Sequence, residues 1–183
     1  MNIKAQFWSF DLIFAIVIFS VAITILGVTW FNINNQLSIN YGNGSGIMQL
    51  QLQSLNQNLF SPGSQNWQSA VNTTNVSTWQ DIAVGIAPSQ GSDSLSSSKV
   101  YTLLSMANYN YPATKQLLGV GFDYYITITS ASSVGSGINI SIGSNPSTKQ
   151  ALTVYVNKGN YVMNGVPVTV TTMLWTNTTL GVS

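Results

Sequence analysis

Leu12 to Phe31 reads LIFAIVIFSVAITILGVTWF, a run without charge whose polar side chains are Ser20, Thr24 and Thr29. Hydroxyls of this kind bond back to the preceding turn when the chain is helical. At about 1.5 Å per residue, about 20 residues cover about 30 Å, the thickness of a bilayer's hydrocarbon core. Phe7 and Trp8 before the run, and Trp30 and Phe31 at its end, fall where interfacial aromatics sit. The run therefore predicts a single membrane-spanning helix. Lys4 and the amino terminus precede it, and no further Lys or Arg follows until Lys99. The positive-inside rule then predicts a cytoplasmic N-terminus and an extracellular remainder. A cleavable secretory signal is the alternative, with an apolar stretch of about 7–15 residues and a small-residue cleavage site. Here the stretch is longer, and Thr29-Trp30-Phe31-Asn32 lacks the A-x-A pattern.

The rest of the chain can build a core, since 45% of the 183 residues are apolar. Only 5% are charged, against roughly 25% in an ordinary soluble protein. Every acid is Asp (Asp11, Asp81, Asp93, Asp123) and every base is Lys (Lys4, Lys99, Lys115, Lys149, Lys158). A surface of Ser, Thr, Asn, Gln, Gly and Tyr is implied. A net charge of +1, scattered lysines and no Arg argue against a nucleic-acid partner. Without His or Cys there is no common transition-metal site and no Ser-His or Cys-His nucleophile. Asp81 and Asp93 lack EF-hand spacing. Gly119-Val120-Gly121 precedes a strand pattern rather than a helix, unlike a dinucleotide fingerprint. The expectation is a non-enzyme with no cofactor and no small-molecule substrate.

Beyond the span, Tyr41-Gly42-Asn43-Gly44-Ser45-Gly46 reads as a helix break or hinge. Met48, Leu52, Leu55 and Leu59 then recur at helical spacing, and Ser61-Pro62-Gly63 ends that helix. Trp67 and Trp79 are the expected anchors of a polar stretch, Ile82–Ala87 is a short apolar segment, and Pro88–Ser94 a loop. Ser96-Ser97-Ser98 opens a helix through Val100, Leu103, Leu104 and Met106, and Pro112 a shorter one over 113–118. The period then switches to two: FDYYITIT from Phe122, Ile138–Ile142, Leu152–Val156, Tyr161–Met163 and Val166–Trp175 read as strands. Turns are expected at Asn157-Lys158-Gly159-Asn160 and at Asn164-Gly165. Helices followed by an antiparallel sheet make the α+β class. The boundaries are a leader at 1–9, a transmembrane helix at 10–31, a polar linker with an amphipathic helix at 32–60, and an extracellular α+β head at 61–183.

Lys4-Ala5-Gln6, placed directly before the apolar run with Asp11 at its edge, resembles the class III signal of archaeal type IV prepilins. In that family a basic residue and Gly or Ala precede a Gln, and a prepilin peptidase cuts before the Gln. The resemblance implies a cut between Ala5 and Gln6 and a pilin-like head. It also implies a retained helix whose Phe14, Ile18, Val21 and Ile25 pack in a filament core against copies of itself or other pilins. The family's acid stands at the fifth mature position and neutralises a neighbour's terminal amine. Counted from Gln6, the fifth residue here is Phe10, and Asp11 is the sixth, turned by about 100° on the helix. Asp11 reads equally as a first-turn acid behind a Ser9 cap. SPGSQNW, VGIA, SSSKVYTLLSMANY and TKQLLGVGFDYYITI, in that order over Ser61–Ile128, resemble uncharacterised archaeal membrane-anchored proteins bearing the same signal. Five N-x-[ST] sequons, at Asn43, Asn72, Asn75, Asn139 and Asn177, are candidate N-glycosylation acceptors on an outward-facing chain. Two functions stay open: a subunit of an archaeal type IV pilus-like filament, or a monomeric signal-anchored surface protein that binds a partner through its head.

Overall fold

The computed structural model describes residues 3–41, 44–130 and 137–178 and, along the first helix, the side chains of residues 12–32. The chain divides into two units, one holding the first helix and one beginning at Gly44.

Helix α1 runs Ile3–Tyr41, and Leu12–Asn32 within it is long and apolar enough to cross a membrane. It starts earlier than expected. Ser9 lies inside the helix rather than at its cap, and Asp11 sits about two turns in, beyond the reach of an N-terminal dipole. It also continues through the polar residues after Phe31, because no Gly or Pro stands between Asn32 and Tyr41 to stop it.

In the second unit, α2 (Gly44–Leu59) begins within the glycine-rich string. Glycine is tolerated at a helix start, where backbone N–H groups are unpaired in any case. Met48, Leu52, Leu55 and Leu59 are all buried, so the four-three-four spacing does mark the packed face. Two short turns follow, α3 (Trp67–Ala70) and a 3-10 turn (Val76–Trp79), each burying its tryptophan. The apolar segment at 82–87 is no strand. Its backbone bonds instead to the end of α2 and to the loop after it: Ile86 N–H donates to the Leu59 carbonyl at 2.7 Å, and Ser64 N–H donates to the Ala83 carbonyl at 2.7 Å. Gly85 is required there, because a Cβ would collide with the Ser61 carbonyl.

Helices α4 (Ser97–Tyr109) and α5 (Tyr111–Leu117) precede strands β2 (Asp123–Ser130), β3 (Asn139–Gly143), β4 (Thr153–Met163) and β5 (Val166–Thr176). With the two-residue β1 (Ser94–Leu95) they form one sheet ordered β1-β4-β5-β2-β3. All neighbours are antiparallel except β1, which runs parallel to β4 at Val162 and Met163, so the sheet is mixed rather than purely antiparallel. Tyr124, Ile126 and Ile128 of β2, with Val170 and Leu174 of β5, line the face buried against the helices. One buried polar bond stands between α2 and this face: the Thr172 hydroxyl donates to Asn56 Oδ1 at 2.6 Å, while Asn56 Nδ2 donates to the Leu52 carbonyl. Such a bond fixes how the helix sits, since any shift strands a buried polar group.

The expected turn at Asn157-Lys158-Gly159-Asn160 does not form. β4 runs straight through it, paired residue for residue with β5 from Thr153–Thr176 to Met163–Val166. The expected turn at Asn164-Gly165 does form, with φ of 53° and 77°. Both are positive, the geometry of the tight hairpin turn that Asn-Gly favours.

Candidate functional site

Over the described part of α1 the apolar side chains are exposed on every side. Phe14, Ile18, Val21 and Ile25 range from 53% to 67% exposed, and so do residues between them such as Ile16 and Phe19. No part of the Leu12–Asn32 window is buried within the protein. A helix apolar all round is of the kind found in the core of a large protein or across a membrane. Its polar groups are already satisfied for an apolar setting. The hydroxyls of Ser20, Thr24 and Thr29 each donate to the carbonyl four residues earlier, at 2.8 Å. Without water, a polar group left unbonded in such a setting costs several kcal/mol.

Lys4, Ala5, Gln6 and Asp11 lie in the helical backbone of α1, but their side chains fall outside the described residues, and Asn43 falls outside them altogether. Cutting between Ala5 and Gln6 would require the first turn of α1 to unwind in the protease cleft.

The other candidate residues lie in the head. Asn72, Asn75, Asn139 and Asn177 are all exposed. Asn139 is the first residue of β3 and pairs with Thr129. Asn177 directly follows β5. Asn72 and Asn75 share one loop, which is tied at several points. Trp79, buried, donates its ring N–H to the Asn72 carbonyl at 2.9 Å. Asn72 N–H donates to the Thr78 hydroxyl, and that hydroxyl donates to the Asn75 carbonyl at 2.8 Å. Val76, Ser77, Trp79 and Asp81 of this loop, with Gln116 and Leu117 of α5, line an open groove of about 540 Å³.

Titratable groups in the head serve its packing. Lys99 is buried on α4 and donates to the carbonyls of Pro62 and Ala87, at 2.8 and 2.9 Å. Burial lowers its pKa. Nothing in its scattered placement in the sequence marks it out from the other lysines. Its use follows from the tertiary approach of two loops to the first turn of α4. Lys115 pairs with Asp123 at 3.2 Å, and the Tyr111 hydroxyl donates to the same carboxylate oxygen while accepting the Tyr124 N–H. Tyr111 and Tyr124 stack with ring centroids 5.0 Å apart, and burial raises the pKa of both.

No protein-family model matches the chain, and no curated protein or solved structure matches it either.

Proposed function

We propose that the chain is a structural subunit of an archaeal type IV pilus-like surface filament, with its N-terminus cytoplasmic before assembly and its head outside the cell. One observation carries this reading. Residues 12–32 form a helix that is apolar on every side, with every hydroxyl bonded to its own backbone. Such a helix suits lipid and a bundle of like helices equally, and a pilin occupies both in turn. Lys4-Ala5-Gln6 directly before it supplies the processing step through its likeness to the class III signal.

The mechanism is assembly, without an enzymatic reaction by this chain. A prepilin peptidase hydrolyses the Ala5–Gln6 bond and removes the basic leader. The helix then leaves the bilayer and packs beside others through Phe14, Ile18, Val21 and Ile25. Contact with neighbours is favoured by about 25 cal/mol for each Å² of apolar surface kept from water outside the membrane. Asp11 is the acid available to a neighbour's new amine. The low-charge head, with its hydroxyl and amide surface, faces solvent. The same helix also supports the second reading, a monomeric anchored surface protein, because lipid alone can cover it.

Mass measurement of the native N-terminus tests the proposal. A chain beginning at Gln6 is expected, and an intact Met1 sinks prepilin processing. Shearing the cell surface then separates the two readings: recovery in filaments supports the subunit, and retention in the membrane supports the anchored monomer.

A further inference from the structure

An acceptor asparagine must present more than its own side chain. The transferase has to grip the whole N-x-[ST] tripeptide, so the middle residue and the hydroxyl must also be free of the folded core. By that criterion the three sequons described at every position, those of Asn72, Asn75 and Asn139, differ. In Asn139-Ile140-Ser141 the backbone lies in the β2–β3 ladder, and Ile140 is buried in the core. Reaching it means peeling β3 from the sheet. Asn75-Val76-Ser77 overlaps the 3-10 turn, and Val76 packs against the core. Asn72-Thr73-Thr74 belongs to no helix or strand, none of its three residues is buried, and Asn72 and Thr74 are exposed. Its amide is oriented too, a feature it shares with Asn75, whose Oδ1 accepts the Ser77 N–H and hydroxyl. Asn72 Oδ1 accepts the Thr74 N–H at 3.0 Å and the Thr74 hydroxyl at 2.8 Å, which turns Nδ2 away from these contacts. Trp79 and Thr78 hold the loop from beneath.

We propose that Asn72 is an N-glycosylation acceptor of the folded head, modified from an isoprenoid-phosphate-linked oligosaccharide. Nδ2 forms a bond to the sugar's anomeric carbon. The carbon–oxygen bond to phosphate breaks, the phosphate leaves with the electron pair, and one Nδ2 proton passes to base. The proposal rests on the reading that the head lies outside the cell.

The test uses the full-length protein isolated from its native cell surface. Chymotryptic peptides spanning residues 68–79 are analysed by mass spectrometry with fragmentation. The expected result is a glycan on Asn72. Asn72→Gln should remove one glycan mass from the intact protein, whereas Asn139→Gln should leave the mass unchanged apart from the substitution. A glycan on Asn139 with Asn72 bare overturns the proposal. So does an unmodified Asn72 when protease added to intact cells digests the head. If intact cells instead shield the head, it is the extracellular reading that fails, and the acceptor proposal falls with it.

Discussion

The helix over 12–32 is far richer in apolar residues than the head beyond Gly44, both carry little charge, and they use their apolar side chains in opposite ways. The head buries its own: Met48, Leu55, Leu103, Tyr124, Ile126 and Leu174 are wholly inaccessible. The helix buries none of its apolar residues and leaves their covering to its surroundings. Spacing accounts for the difference. In the head, buried apolar residues recur every three or four positions along α2 and every second position along β2, which gives each element one face to turn toward the core. In residues 12–32 they fall on every side of the helix, broken only by Ser20, Thr24, Gly27, Thr29 and Asn32, so there is no single inner face to turn toward a core. A residue's worth therefore depends on which region holds it, and substitutions should separate the two.

The largest separation is expected from Leu55→Ala. It leaves a cavity under α2 and should cost the head about 2–5 kcal/mol, read as a lower denaturant midpoint of the full chain in detergent, with its membrane fraction unchanged. Ile18→Arg is the mirror case. A charge near the middle of the span should weaken insertion by about 2.5–3.5 kcal/mol, read as loss from the carbonate-resistant membrane fraction, with the head's near-ultraviolet dichroism preserved. Equal damage to both readouts by either variant would break the comparison.

A smaller effect sharpens it within the head. Thr172→Val removes the donor to buried Asn56 and should cost about 1–3 kcal/mol. The pair Asn56→Leu with Thr172→Val should recover much of that loss, since neither partner is then left unbonded. Thermal unfolding of the single and double variants measures this.

The smallest and most gradual effect is set by pH. The folded-state pKa values of Tyr111, Tyr124 and Tyr161 are raised above the ordinary 10.0, chiefly by burial. Their contribution is fully present below pH 10.0, the value they take when unfolded, and is lost as pH climbs from there through their folded values. Lys99, lowered below 10.5, acts in the opposite direction, adding stability as pH rises toward 10.5. Three tyrosines against one lysine should give net destabilisation above about pH 10. Far-ultraviolet dichroism followed together with tyrosinate absorbance should show the head unfolding as the tyrosines ionise.

Much of this was legible in the residues. Twenty uncharged positions from Leu12 to Phe31 specify a helix whatever surrounds them. The spacing of Met48, Leu52, Leu55 and Leu59 names the buried stripe of α2, and Asn164-Gly165 names the hairpin turn, because each signal lies within a few residues of chain. Of the candidate sites, the sequons could be found by pattern, but nothing in the pattern separates Asn72 from Asn139. That distinction depends on whether the middle residue is drawn into a sheet.

What the sequence by itself determined, then, is local: the long apolar helix, the helical stripe, the period-two segments and the tight turn. Tertiary structure decided the rest. Asn157-Lys158-Gly159-Asn160 has the composition of a turn, yet it extends as strand because β5 offers eleven residues of unbroken ladder beside it. β1 joins the sheet in parallel through a contact far along the chain, and Lys99 is buried because two loops bring carbonyls to its ammonium. The reason is common to all three. A backbone or charged group takes whichever hydrogen-bond partner folding places beside it, and that partner can lie dozens of residues beyond the reach of local pattern.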